Sequence, residues 1–188
     1  HRLDRETSGV LLLAKRRRAL TEVHAQRRHG QVDKRYQVLV LGDWKKQRQS
    51  VQLPLRKYVI GGGERRVAVD AEGAAAMTVF KLLAHYDGYS LLEAELKTGR
   101  THQIRVHLSH LGFPIAGDDK YGDFEVNKSL QKRGLKRMFL HAVSVTLKHP
   151  ASGERLRSEA PLPGERDRFI GSMNIGSMNP GSMHVDKK

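Results

Sequence analysis

Cysteine is absent from the 188-residue chain, which excludes a disulfide framework, a thiol nucleophile and any cysteine-ligated zinc site. That absence fits a reducing compartment, and a cytoplasmic location is expected. Long hydrophobic runs are missing as well. The longest, Val10 to Ala14, is far short of the roughly 20 residues that span a bilayer, and no charged-then-apolar leader pattern opens the chain, so no membrane association is expected. Acidic residues are outnumbered, 20 Asp and Glu against 34 Lys and Arg, giving a formal charge of +14 and a pI near 10.3. Such an excess draws polyanions by long-range attraction, with nucleic acid the leading candidate partner. An initiator Met is lacking too; the sequence starts at His1, inside a patterned segment, and is expected to be a fragment. With 38% hydrophobic residues there is material for one sizeable core, hence one principal domain.

Gly9 to Ala14 is a short apolar run bounded by Gly and by charge, which predicts a buried strand directly after Asp4. Arg16 to His29, rich in helix formers and stopped by Gly30, predicts an exposed basic helix. Lys34 to Leu41 predicts a strand. Trp44 to Gly73 reads as loop-rich, with Gly61-Gly62-Gly63 a turn between short strands. Met77 to Ala84 and Tyr89 to Leu96 flank Asp87-Gly88, a strong hairpin signal. Thr101 to Leu111 sets Ile104, Leu108 and Leu111 on one helical stripe, with His102, Gln103, Arg105, His107 and His110 on the other faces. Phe139 to Leu147 partly alternates and predicts a half-buried strand. Together these give an α+β fold, a mixed and mainly antiparallel sheet flanked by helices around a basic cleft. From Ile170 the chain repeats Ile-Gly-Ser-Met-Asn in three near-copies. The expected division is therefore a folded domain over 1–169 and a disordered, vector-derived tail over 170–188.

Asp4 sits between Arg2 and Arg5, and a carboxylate beside guanidinium groups favours its ionised form, which suits a nucleophile or base. By charge pattern alone it reads as an ordinary surface ion pair of little energetic value. The residues His1-Arg2-Leu3-Asp4-Arg5-Glu6-Thr7-Ser8-Gly9 resemble the His-Arg-Leu-Asp-x-x-Thr-Ser-Gly signature of the RluA-type pseudouridine synthases, with all seven fixed positions present. Lys34-Arg35-Tyr36 resembles the family's Lys-x-Tyr element, and Gly99 to Leu108 its Gly-Arg-Thr-His-Gln-hydrophobic-Arg-x-His element. Gly117-Asp118, Tyr121-Gly122 and Leu140-His141-Ala142 resemble later landmarks. The likeness covers His1 to Phe169 and is closest in form to the RluC-like enzymes of the large ribosomal subunit.

What the resemblance implies is isomerisation of uridine to pseudouridine in RNA, in large-subunit ribosomal RNA and so in ribosome biogenesis, by a monomer needing neither cofactor nor metal. It implies that Asp4 is the essential carboxylate acting at the ribose, by attack on C1′ or by assisting elimination. Tyr36 would stack on the target uracil, although a strand aromatic is also plain core. Arg105 would pair with Asp4, and Leu140 would pack behind the Tyr36 ring. Arg2 would fill the gap left when the uridine leaves its stack. Arg100, His102 and Gln103 would brace the pocket or touch phosphate, or serve as ordinary helix-start polar residues. His102, His107 and His110 lack the spacing of a metal site. From their charge alone, the basic clusters Lys15 to Arg18 and Arg27-Arg28-His29 are expected to meet phosphates, a merely solvated helix face being the alternative. An upstream Lys-Pro element and an S4-like domain, frequent in the family, are not in this sequence, and Ala74-Ala75-Ala76 stands where relatives often carry a Lys before the strand Thr. Two other classes stay open, a catalytically silent RNA-binding module and a glycoside hydrolase using Glu6 as its second acid.

Overall fold

The computed structural model describes residues 2–174. Its central sheet follows from strands whose side chains alternate between two covered faces. In chain order the elements are β1 (Ser8–Gly9), α1 (Arg17–Arg28), β2 (Asp33–Leu41), β3 (Arg48–Gln52), β4 (Leu55–Val59), β5 (Arg65–Val69), β6 (Met77–Tyr86), β7 (Tyr89–Leu96), α2 (Gln103–His110), α3 (Phe124–Lys132), β8 (Leu140–Lys148), β9 (Arg155–Glu159) and α4 (Gly164–Gly171). Seven strands form the main sheet in the order β1-β8-β2-β7-β6-β3, with β9 also on β8, and β4-β5 form a separate ribbon. Every pairing is antiparallel except β1 on β8, which is parallel. The mixed, mainly antiparallel α+β architecture is as the sequence patterning predicts.

The two-residue period of a strand sorts β2 between two cores. Tyr36, Val38 and Val40 face one cluster with Trp44, Phe80 and Leu92 and with Ile104 and Leu108 of α2. Leu39 faces the other, with Leu130 of α3, Phe139, and Phe169 of α4. Trp44 anchors the first cluster, edge-on to Phe80 and Phe113 at centroid distances of 5.6 and 4.9 Å, a geometry that suits the ring quadrupoles. The Asp87-Gly88 loop closes β6 onto β7, and Gly88 takes φ +75, which a residue without Cβ adopts at no steric cost.

Several local expectations need correction. Of the first apolar run, Gly9 to Ala14, only Gly9 belongs to a strand, β1 over Ser8–Gly9, because Gly9 at φ +111 turns the chain out of the extended region. Beyond it Val10 and Leu12 pack inward, while Leu11 and Leu13 are exposed. In the segment read as loop-rich, the two short strands expected about Gly61-Gly62-Gly63 are β4 and β5, and β3 is a further strand that was not expected. α2 is not amphipathic in the expected sense, since Gln103, Arg105 and His107 are buried along with Ile104 and Leu108. α3, β9 and α4 carried no predicted counterpart. The chain does not leave the fold at Phe169, for α4 runs to Gly171 and Met173 is buried against the second core. The rest of the repetitive segment lies outside the described residues, as does His1.

Candidate active site

Asp4 is positioned by an anchored turn. Thr7 donates its backbone N–H to the Asp4 carbonyl at 3.0 Å, and β1 then lies parallel to β8, Ser8 opposite His141 and Gly9 opposite Ala142. A Cβ on Gly9 would stand 2.1 Å from the Ala142 carbonyl oxygen, so only glycine allows this approach. His141 gives its Nε2–H to the Ala160 carbonyl at 3.0 Å, leaving Nδ1 to accept from the Ser8 hydroxyl at 2.7 Å. Burial pushes the His141 imidazole below its ordinary pKa, in keeping with that neutral form. From α4, the buried Arg166 donates to the carbonyls of Met138 (2.6 Å), Leu140 (3.1 Å) and Glu6 (3.3 Å) and to the Ser8 hydroxyl. The loop that carries Asp4 is thus held by β8 on one side and α4 on the other.

Arg105, on α2, is the hub of the charged groups. It donates Nε and Nη2 to the two carboxylate oxygens of Asp118 at 2.8 and 2.7 Å, a bidentate pair of the strong kind. Its Nη1 reaches Asp4 Oδ2 at 3.5 Å. The guanidinium also lies 5.0 Å from the centroid of the Tyr121 ring, a cation–π distance. Asp118 accepts as well from the backbone N–H groups of Lys120 and Tyr121 at 2.9 and 3.0 Å. Burial works to raise the Asp118 pKa, but the bonds and charge of Arg105 and these two amides outweigh it and hold the carboxyl below its usual range. A Cβ on Gly122 would meet the Asp118 carbonyl oxygen at 2.3 Å, and Asn127 of α3 ties the same carbonyl at 2.7 Å.

His102 caps α2 in the left-handed conformation, φ 53, among the described residues the one non-glycine with positive φ, a strained choice that aims its ring. The Tyr121 hydroxyl accepts from Val67 N–H at 3.0 Å and donates to His102 Nδ1 at 2.8 Å. That places Nε2–H toward Asp4 Oδ2, 3.9 Å away. Burial, with Arg105 and Lys120 nearby, lowers the His102 pKa despite the opposing pull of Asp4. Gln103 is structural in its contacts. It donates to the Met77 carbonyl and to the Thr78 hydroxyl, both at 2.9 Å, and accepts from Thr98 and from the Arg100 backbone at 2.7 and 3.0 Å. Thr78 in turn bonds His107 Nδ1 at 3.0 Å, whose Nε2 gives to the Leu53 carbonyl at 2.9 Å. Both His107 nitrogens are therefore engaged within the protein.

All eight residues singled out by sequence meet at one open cavity of about 320 Å³. Asp4, Tyr36 and Arg105 line it together with Leu140, and Arg2, Arg100, His102 and Gln103 complete its wall. Tyr36 is 7% exposed and part of the core. Burial and the charge of Asp4 push its phenol up to about 12. The expected pair of Asp4 and Arg105 is present, but Arg105 gives its best bonds to Asp118, a residue to which the sequence assigned no role. Among the described residues no ion pair joins Arg2 or Arg5 to Asp4; Arg5 meets Glu6 at 3.8 Å. Glu6 also bonds Arg137 at 3.4 Å and does not line the cavity, which removes the second acid a glycoside hydrolase needs. Sequence reasoning also passed over Tyr121 and Arg166. The Gly-Asp and Tyr-Gly steps were the available signal for Asp118 and Tyr121; Arg166 had none.

Comparison with known proteins bears on this arrangement. The family described as RNA pseudouridylate synthase matches residues 1–110. Ribosomal large subunit pseudouridine synthase C of Pasteurella multocida (strain Pm70) is 46% identical over 173 residues, covering 92% of this chain and 53% of the relative. The protein of that name from Escherichia coli (strain K12) is 48% identical over 164 residues, covering 86% and 51%. The chain thus spans about half the length of the curated relatives it matches. Among solved structures, human RNA pseudouridylate synthase domain containing 1 superposes with a TM-score of 0.73 at 28% identity, covering 86% of this chain and 67% of that one. Human RNA pseudouridylate synthase domain containing 4 gives 0.72 at 27%, covering 91% and 73%. With its motifs gathered at one cavity, its fold shared with these structures and more than half its length matched, the chain belongs to the RNA pseudouridylate synthase family.

Proposed function

We propose that this chain converts uridine to pseudouridine in RNA, with large-subunit ribosomal RNA as the substrate class. The observation that carries the reading is the meeting of Asp4, Tyr36 and Arg105, which lie 101 positions apart from first to last, at one solvent-open cavity. In the reaction the bond from uracil N1 to ribose C1′ breaks, the base turns, C5 bonds C1′, and the C5 proton leaves as N1 gains one. Asp4 acts at the ribose. Arg105, fixed by Asp118, holds the Asp4 carboxylate from one side, so that the acid is oriented before substrate arrives. Tyr36 and Leu140 form an apolar wall for the flipped base, with the Tyr36 phenol neutral at working pH. Arg2, exposed at the rim, fills the vacated stack. Arg100 and His102 contact the strand, and Gln103 braces the turn that presents them.

The names of the relatives support ribosomal RNA, and the charge of +14 supports a polyanionic partner. Among the described residues no helix is long and apolar enough to cross a membrane, and we place the protein in the cytoplasm as a monomer. The purified chain, incubated with uridine-containing ribosomal RNA and no added metal or cofactor, is expected to form pseudouridine detectable by mass spectrometry of the digested RNA. Asp4→Ala is expected to abolish it while RNA binding persists. Unchanged yield in that variant refutes the mechanism, and no product from the unaltered chain refutes the activity.

A further inference from the structure

A buried cation without a counter-charge stands beside the proposed catalytic cavity. Lys34, on β2 two residues before Tyr36, is 8% exposed. Among the described residues no carboxylate, carbonyl or hydroxyl is bonded to its ammonium, whereas each fully buried side-chain nitrogen or oxygen has a partner. The ammonium therefore reaches the cavity surface and is not sealed in the core. Burial, with the positive charge of Arg27 beside it, pushes Lys34 down to about 8. Keeping an unpaired ammonium in such a place destabilises the empty protein, and a bound anion would offset that.

The surroundings are built for one. Arg27, Lys34, Gly99 and Arg100 line both the catalytic cavity and a second, adjoining one of about 550 Å³. Arg28 and Lys97 also border the second, and no Asp or Glu does. Arg100 is steadied by donating Nε to the Ala75 carbonyl at 3.0 Å. A Cβ on Gly99 would lie 3.2 Å from Lys34 Nζ and 3.7 Å from Arg27 Nη2. The missing side chain there leaves two cations facing one small space.

We propose that Lys34, with Arg27 beside it and Arg100 across the Gly99 turn, seats one phosphate of the RNA strand where the two cavities meet. The strand then runs from the catalytic cavity into the second one, and the seated phosphate fixes the register of the target nucleotide. Two non-bridging oxygens accept from the Lys34 ammonium and the Arg27 guanidinium, each a charge-assisted bond. This inference rests on the proposed action on RNA and adds where its backbone is held.

The test is binding of a uridine-containing ribosomal RNA stem-loop by fluorescence anisotropy across a salt series. Lys34→Met is expected to weaken affinity about tenfold, a typical loss for one charge-assisted bond, and to flatten the salt dependence by roughly one phosphate contact. Its melting temperature is expected to hold or rise, because the unpaired buried charge is gone; a core-supporting lysine would lower it. An affinity loss under threefold, an unchanged salt slope or a lowered melting temperature overturns the subsite. The unaltered chain supplies a second reading. RNAs carrying one neutral methylphosphonate at a time should lose about tenfold at a single position near the target uridine, and a flat response along the strand also overturns it. Both readouts are binding, so a chain that shows them without forming pseudouridine upholds the subsite and sinks the catalytic reading, and the reverse pattern does the opposite.

Discussion

Asp118→Asn tests whether the Asp4 centre depends on a second, hidden carboxylate. The Asp118 side chain is fully buried, at 0% exposure, against an Arg105 side chain at 7%, and it accepts four hydrogen bonds from Arg105, Lys120 and Tyr121. An amide keeps one acceptor oxygen and turns its NH₂ toward a guanidinium that has only donors. Arg105 is then a buried cation short of its main partner, a change that costs about 3–5 kcal/mol in comparable pairs. Because the folded-state pKa of Asp118 is depressed from 3.8, the stabilisation is present above pH 3.8 and is lost as pH falls from there through the folded value. The gap between the two proteins should therefore narrow by about 1.4 kcal/mol per pH unit in that acid window. Urea unfolding at neutral pH and at successive acid pH values measures both quantities. Pseudouridine formation should fall with it, by about a hundredfold if Arg105 shifts by an ångström. Equal urea midpoints at neutral pH would show that Asp118 is not what holds Arg105, and a gap that widens in acid would refute the sign of the linkage.

Tyr36→Phe should keep the fold and the apolar wall, and it should change the alkaline limb of stability. The phenol is pushed up to about 12 from 10.0, so its contribution is complete below pH 10 and is lost as pH rises to 12. Over that window the unaltered protein loses about 2–3 kcal/mol that the Phe variant does not, read from unfolding midpoints at each pH. Arg166→Met should cost about 2–4 kcal/mol, because the carbonyls of Leu140 and Glu6 lose a buried donor. Its product formation should fall through a loosened Asp4 turn, with Lys at the same position restoring stability in part; full activity at unchanged melting temperature would deny Arg166 any positioning role.

Features set by a few neighbouring residues were legible because they are local. The Asp87-Gly88 hairpin, the Ile104-Leu108 stripe and the basic helix at Arg17–Arg28 each follow from a few consecutive residues acting through backbone sterics and periodicity. The sequence by itself also carried the motifs, and so named Asp4, Tyr36 and Arg105. It misread Gly9 to Ala14, because an apolar run does not reveal that Gly9 takes a positive φ to press against Ala142. Only the tertiary structure decided the partners. That Arg105 gives its bidentate pair to Asp118, that Arg166 reaches back across 158 residues to Ser8, and that Lys34 meets no counter-charge among the described residues are outcomes of three-dimensional packing. Desolvation and hydrogen-bond geometry depend on which groups meet after the chain has closed, and no spacing along it states them.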